Sequence, residues 1–439
     1  VDIFEPEGDD LANGVTFEDA PDKKSKVRKT ASTDYGKIAK AMGEIMSAGI
    51  NVSLVDINRS DFGFKPDVEH NQILYGMKGM LNVSDSTVND IIANRPYESP
   101  RDFLNKVHPT KSTMISLIKG GAFDTMMDRK SCMAWYLWET CDKKKRLTLQ
   151  NMGGLIKHNL LPETTSEQVM ARRIYEFNRY LKSVCKDASG MYKLDQRAID
   201  FIIELGCDYL FKSNGGAIYI GSQAWDKIYQ KWMDIFRHWI NDNKDTILQS
   251  LNDSIFKEDW IKYAGKGNIS AWEMEVLCFY YHDHELKSVN KDKYGFVDFF
   301  SLPEEPVVEK TFSRGGKDIN IFKLYRICGT CIAKNKTKST ITLLTPTGVV
   351  NVKFRKEYFS LFDKQISERG ADNVKHVMEK SWFNRGSMVV VTGIRSGDDF
   401  ISKKYASTGG HQLYKITTIN DDGTLELQTE RYKGESEDV

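Results

Sequence analysis

The sequence predicts a mixed multidomain chain: a helical module with a helix-hairpin-helix-like turn and a helical middle, followed by an OB-like β-barrel. Three observations carry this. Short helical stretches alternate with tight turns between Ile73 and Asp124, where Pro96, Pro100, Pro109 and the pair Gly120-Gly121 mark boundaries. Trp225, Ile228, Tyr229, Trp232, Met233, Phe236, Trp239 and Ile240 then trace one helical stripe. After about Asn320 the period becomes strand-like. The 439 residues leave room for roughly two to four domains, and a 40% hydrophobic content is enough to give each a core.

Composition narrows the function classes. Sixty-two Lys and Arg against 61 Asp and Glu give a net charge of +1, so no molecule-wide field draws nucleic acid and any DNA contact must be local. Seven cysteines, odd in number and scattered, read as reduced thiols. No apolar run approaches the ~20 residues that span a bilayer. Residues 1–20 are acidic where a secretory signal would be basic and then apolar, so no membrane partner and a cytoplasmic location are expected. The first residue is Val1, which fits a fragment or processed product as readily as a chosen boundary.

Taken in order, residues 1–30 pass from acidic EPEGDD to basic DKKSKVRK with little apolar material and are expected to be extended or poorly ordered. A helical module is expected over 31–130, opening with YGKIAKAMGEIMSAGI, which spaces Ile38, Met42, Ile45 and Met46 on one helical face before the extended segment NVSLVDI. A helical domain is expected over 131–290, ending in a helix through ISAWEMEVLCFYYHDHEL, and a polar connector over 291–319. Residues 320–430 carry five or six short β runs with a helix-like insertion near YFSLFDKQISE. Ile341 and Leu343 share one strand face, as do Val350, Val352 and Phe354 after the turn Pro346-Thr347-Gly348, so both strands supply a barrel interior. A polar tail follows at 431–439.

The most informative segment is LYGMKGMLNVSDSTVNDIIANR, residues 74–95. A short helix meets a glycine-containing hairpin, and Ser84 or Ser86 can cap a second helix, which aims backbone N–H groups and a helix N-terminus at a phosphate. Lys78, Gly79, Asn82 and Ser84 are the candidate contacts, and Lys111 with Ser112 occupies a comparable turn-to-helix position downstream. Two such turns can track one duplex backbone without reading bases. The same residues also fit an ordinary helical hairpin whose glycines merely turn the chain. On the barrel, Lys353, Arg355, Lys356, Arg395, Lys403, Lys404 and Tyr405, with Tyr358 nearby, are candidate single-strand contacts. Exposed strand Lys and Arg also serve simply to discourage edge pairing.

Cys328 and Cys331 have half a zinc-ribbon spacing, but no second pair accompanies them and residues three apart on a strand face opposite sides, so no metal is assigned. His282 and His284 flank Asp283 and would diverge on the helix expected there. No mononucleotide-binding loop, nucleophile elbow or HExxH is present, and the densest acidic group, Asp2, Glu5, Glu7, Asp9 and Asp10, lies in the least foldable segment. An independent active site is not expected.

At this point the chain resembles the downstream part of the alpha subunit of bacterial C-family replicative DNA polymerases, in a bacterial or phage version. GINVSLVDINRSDFGF is similar to the stretch leading into the family's helix-hairpin-helix region, ILYGMKGMLNVSDSTVNDIIANR to the hairpin, and RDFLNKV with MISLIKGGAFD to the sequence closing the module. WEMEVLCFYYHDHEL resembles a family helix ending in a GFYLSGHPL-type run, and TITLLTPTGVVNVKF the hairpin of its OB domain. The resemblance departs at Met80-Leu81-Asn82-Val83, where the family has a glycine-rich turn, and at HDHEL, which lacks the family's proline. It implies a non-catalytic portion of a DNA-directed DNA polymerase that holds product duplex and template, with DNA, the remainder of the polymerase and a sliding clamp as partners. The palm and its catalytic aspartates would lie outside these residues. No cofactor is then expected in this chain, and a divalent metal such as magnesium only in the intact polymerase. A free-standing nucleic-acid-binding or replisome scaffold protein, and a Cys/His metal or redox protein, are the alternatives.

Overall fold

The computed structural model describes residues 37–38, 41–42, 45, 49–185, 190–369, 375–406 and 409–433. The expected lead-in over 1–30, and most of the expected polar tail, lie outside them. Two compact units form: residues 135–265 make one, and the flanking segments, up to Ala134 and from Lys266, make the other.

In the flanking unit, Ile38, Met42 and Ile45 are helical and the latter two are buried, as the stripe requires; Met46 lies outside the described residues. Strands β1 (Asn51–Ser53), β2 (Lys65–Asp67) and β3 (Gln72–Leu74) form a small sheet in the order β1-β3-β2, with β1 parallel to β3. Four helices follow: α1 (Asp85–Ala93), α2 (Pro100–Val107), α3 (Lys111–Lys119) and α4 (Arg129–Thr140), the last of which belongs to the other unit from Trp135 on. Ser84, Ser99 and Thr110 cap the first three through side-chain oxygens, supplying acceptors that the first turn lacks. Tyr75, Met77, Met80, Val88, Ile91, Phe103, Met114, Leu117 and Phe123 are buried, so the hairpins rest on a packed floor.

The 135–265 unit contains α5 (Met152–Lys157), α6 (Ser166–Val184), β4 (Met191–Lys193), α7 (Gln196–Glu204), β5 (Lys212–Asn214), β6 (Ala217–Gly221) and α8 (Ser222–Ala264). The aromatic stripe lies on α8, with Trp225, Met233, Phe236 and Ile240 buried in its core. Helix α8 runs on for 43 residues. The middle is helical as expected, and it also carries the small sheet β4-β6-β5, which the sequence reading did not anticipate. Its strands are too short to alternate, yet Gly215 and Gly216, at φ +58° and +77°, are the left-handed turn pair that joins two antiparallel strands.

Beyond it, α9 (Ile269–Leu277) stops well before the expected Leu286, with Cys278 left-handed at φ +65°. The cause is local. The buried Glu273 carboxylate accepts the N–H groups of Tyr281 and His282, both at 3.0 Å, pulling the chain out of the helix. This segment packs on the hairpin module, unlike the expected 131–290 grouping: Leu81 N–H donates to Val276 O, and Tyr75 stacks on Phe279.

After α10 (Lys291–Tyr294), the expected connector contains a β-hairpin, β7 (Val308–Arg314) and β8 (Lys317–Phe322), turned by left-handed Gly315 and Gly316. The barrel comprises β9 (Tyr325–Asn335), β10 (Thr340–Thr345), β11 (Gly348–Lys353), α11 (Lys356–Asp363), the hairpin β12 (Ile366–Arg369) and β13 (Lys375–Glu379), then β14 (Met388–Ser396) and β15 (Asp399–Ser402). Pairings run β9-β10-β11-β15-β14 and return to β9, closing five strands, with β11 and β15 parallel. That is the OB-like barrel expected, with α11 as its helical insertion. Strands β16 (Leu413–Ile419) and β17 (Leu425–Gln428) extend the sheet from β14. Ile341, Leu343, Val350, Val352 and Phe354 fill the interior with Val389, Val391, Phe400 and Trp382.

Candidate nucleic-acid interface

The first hairpin begins with a 3-10 turn, Met77–Gly79. Gly79 is buried and an added Cβ would lie 2.8 Å from the Tyr75 ring, so the glycine serves close packing instead of turning the chain. The turn falls on Asn82 at φ +61°, the left-handed conformation that the glycine-rich version would adopt at lower cost. Asn82 is held there on both sides: its amide donates to Ser116 Oγ at 3.2 Å and its carbonyl accepts from Thr113 Oγ1 at 2.9 Å.

A second hairpin repeats the pattern. His108 is left-handed at φ +51°, Pro109 follows, and Thr110 caps α3 as Ser84 caps α1. Ser84 Oγ lies 2.9 Å from Ser86 Oγ and from Thr87 Oγ1. Thr110 Oγ1 lies 3.0 Å from Ser112 Oγ and 2.9 Å from Thr113 Oγ1. The two helix starts share one chemistry: first-turn amides without intrahelical acceptors, a positive dipole end and flanking hydroxyls. Through Asn82, Thr113 and Ser116 the hairpins are joined directly.

Lys78 is exposed, but it forms an ion pair with Asp85, the first residue of α1, and lies 5.7 Å from the Phe62 ring centroid. Its charge is therefore shared with a carboxylate at the helix start. Ser112 is exposed and Lys111 half-buried.

The barrel candidates separate. Lys353 pairs with Asp399 at 2.5 Å. Arg355 and Lys356 are exposed where β11 enters α11. The parallel register that sets Lys353 against Ile401 brings the ends of β11 and β15 side by side, so Arg355, Lys356, Lys403 and Lys404 leave neighbouring strand ends. Arg395 is committed elsewhere. Its guanidinium donates to Leu302 O at 2.7 Å and Gly397 O at 2.9 Å and covers the Phe299 ring, so it fastens the 299–304 segment to the barrel. Lys403 lies over the Phe322 and Tyr405 rings, and the Tyr405 hydroxyl accepts from Phe322 N–H at 2.8 Å. Tyr358 stacks on Phe354, and burial pushes its hydroxyl up to about 12.

Cys328 and Cys331 enter different apolar clusters, Cys328 beside Leu286 and Phe296 and Cys331 in the barrel core, as strand alternation requires. Burial pushes both thiols up to about 12. His282 and His284 diverge, although on a turn instead of a helix. His282 Nδ1 lies 2.6 Å from Glu273 Oε1; His284 accepts Leu286 N–H at Nδ1 and its Nε2 donates to Leu344 O at 2.9 Å. A cluster that the sequence reading did not single out, Asp67, Glu69 and His70, brings three ligand atoms within 4.8 Å of one another. Hydrogen bonds from Gln72, His70 and Arg59 hold the Asp67 carboxyl far below the ordinary carboxylate range. The DVEH spacing in a hairpin was the available signal.

Comparison with known proteins supports the geometry. The helix-hairpin-helix motif family matches residues 49–132. The chain is 37% identical over 431 residues to the probable DNA polymerase YorL of Bacillus subtilis strain 168, and to the same extent to a DNA-directed DNA polymerase of Bacillus phage SPbeta. Each match covers 96% of this chain and 32% of the relative, so the chain spans about a third of the length of these relatives. DNA polymerase III subunit alpha of Thermus aquaticus is 33% identical over 108 residues, which are 23% of this chain and 9% of that protein. Among the described residues no helix is long and apolar enough to cross a membrane. Twin capped hairpins and a closed OB-like barrel, in a chain matched along nearly its whole length, make it a homologue of the bacterial and phage C-family DNA polymerases of the polymerase III alpha kind.

Proposed function

We propose that this chain is a non-catalytic, DNA-contacting portion of a DNA-directed DNA polymerase, in which the twin hairpins hold product duplex and the barrel contacts single-stranded template. The observation that carries this is the duplicated helix start: Ser84 and Thr110 cap with the same hydroxyl geometry, and the Asn82 contacts lock one hairpin to the other. Two rigidly spaced amide clusters suit successive phosphates of one strand and offer nothing that reads a base edge. Nucleotidyl transfer from dNTPs with magnesium belongs, on this reading, to a palm carried by the whole polymerase, and the remaining partners are the rest of that polymerase and a sliding clamp. The chain alone is expected to bind duplex and not to extend a primer.

Fluorescence anisotropy with duplexes of unrelated sequence tests the reading. Equal affinity for each, falling with salt, is expected. A folded chain without duplex affinity defeats it.

A further inference from the structure

We propose that a cleft on the barrel, bounded by Lys323, Arg326, Lys404 and His411, is a nucleotide-phosphate site. It deepens the single-strand reading above and rests on it, and of the strand-end residues weighed there its lining includes only Lys404.

The cleft has a volume of about 440 Å³, and its walls include Tyr294 and Tyr325 but, among the described residues, no carboxylate. That volume falls within the roughly 300–1,000 Å³ typical of small-ligand sites. Unlike Lys353 or Lys334, which spend their charge on Asp399 and Asp363, none of Lys323, Arg326 or Lys404 forms an ion pair among the described residues. Three uncompensated cations facing one concavity, in a chain of net charge +1, define a local anion trap.

The site is built and not merely charged. Arg326 stands opposite Thr392 in the β9–β14 register, donates to Tyr294 O at 3.4 Å and lies 5.9 Å from the Tyr414 ring centroid, which leaves most of its planar donor fork unspent. The Lys323 ammonium sits 5.5 Å from the Tyr325 ring centroid. Beside Arg326, Thr392 Oγ1 donates to His411 O at 3.2 Å and the Tyr414 hydroxyl accepts His411 N–H at 2.8 Å. Gly410, at φ +83°, lets this loop close: an added Cβ would lie 2.7 Å from the Tyr414 hydroxyl. An Arg fork beside two lysines and tyrosine rings matches a phosphate carrying a base.

The phosphate can come from a free nucleotide or from one unit of a DNA strand, and two arms separate these. In the first, the full chain is titrated into labelled oligo(dT) at several salt concentrations; in the second, dTTP binding is followed by calorimetry without divalent metal. Both arms are repeated with Lys323→Ala/Lys404→Ala and, independently, with Arg326→Gln, with circular dichroism and duplex affinity as folding controls. If the strand is the ligand, the double variant loses roughly tenfold in oligo(dT) affinity and its salt slope falls by about 1.4, two contacts at ~0.7 each, with duplex affinity unchanged. If the free nucleotide is the ligand, dTTP binding is lost in both variants and oligo(dT) binding stays. Unchanged binding in both arms, or a wild-type chain that binds neither probe, overturns the proposal. Duplex affinity retained in that case leaves the hairpin reading standing.

Discussion

Replacing Glu273 by alanine should loosen the grip of the 266–290 segment on the hairpin module. Glu273 is fully buried, and its carboxylate takes four bonds: Arg129 Nη1 at 2.9 Å, His282 Nδ1 at 2.6 Å, and the N–H groups of Tyr281 and His282 at 3.0 Å each. Removing one partner of a buried pair costs about 3–5 kcal/mol, mostly because the other charge is stranded. Here two features hold the loss near the low end. Asp124 still bonds the Arg129 guanidinium, and the residues that lose the amide bonds, Tyr281 and His282, are exposed enough for water to replace them. A loss of about 3 kcal/mol follows for Glu273→Ala, and roughly half that for Glu273→Gln, which keeps an acceptor but no charge. Hydrogen exchange resolved by segment is the suitable assay, because the chain contains two compact units and a single unfolding curve would mix them. Protection should fall in 77–83 and 273–284 and persist in 150–260. A loss below about 1 kcal/mol, or one confined to 135–265, refutes the reasoning.

Three further outcomes are expected. Asn82→Ala should cost about 1–2 kcal/mol, from a left-handed alanine plus the lost Ser116 bond, whereas Asn82→Gly should cost less and keep duplex affinity; equal losses in thermal melts would contradict this. Asp85→Asn should raise duplex affinity several-fold in anisotropy titrations, since it frees Lys78 and removes a carboxylate from the helix start; an unchanged or weakened complex argues against a phosphate there. Burial lowers the pKa of His284 to about 4, below its unfolded value, so the unfolded chain takes up the proton first and stability falls as pH drops from about 6.5 to about 4, by about 3 kcal/mol in all. Glu285, raised by burial, offsets part of this at the acid end, and His284→Gln should flatten the upper part of the decline in urea melts at stepped pH.

Legibility followed the length and regularity of each signal. Barrel strands alternate over six or more residues, so Ile341, Leu343, Val350 and Val352 could be placed inside before any topology was known. The α8 stripe was equally plain. Three-residue strands carry no period, and β4 and β5 passed unnoticed, although paired glycines at 215–216 and 315–316 mark two of the missed hairpins. The overlong helix expected at α9 has a different origin: periodicity continues through Phe279 and Tyr280, but the chain leaves the helix where the Glu273 carboxylate, itself paired with Arg129, accepts the amides of Tyr281 and His282. Among the site residues, the caps at Ser84 and Thr110 follow from local chemistry, whereas the diversion of Arg395 onto Leu302 and of Tyr405 onto Phe322 depends on pairings across 93 and 83 residues.

The central claim is that two linked hairpins hold duplex by its backbone, and a salt titration of duplex binding tests it most directly. Anisotropy should be recorded for the chain and for Lys78→Ala/Lys111→Ala on several duplexes of unrelated sequence. The account predicts a modest loss, equal on every duplex, and a salt slope reduced by about 0.9 for each phosphate contact removed. A loss confined to particular base sequences, or a folded chain indifferent to duplex, would contradict it.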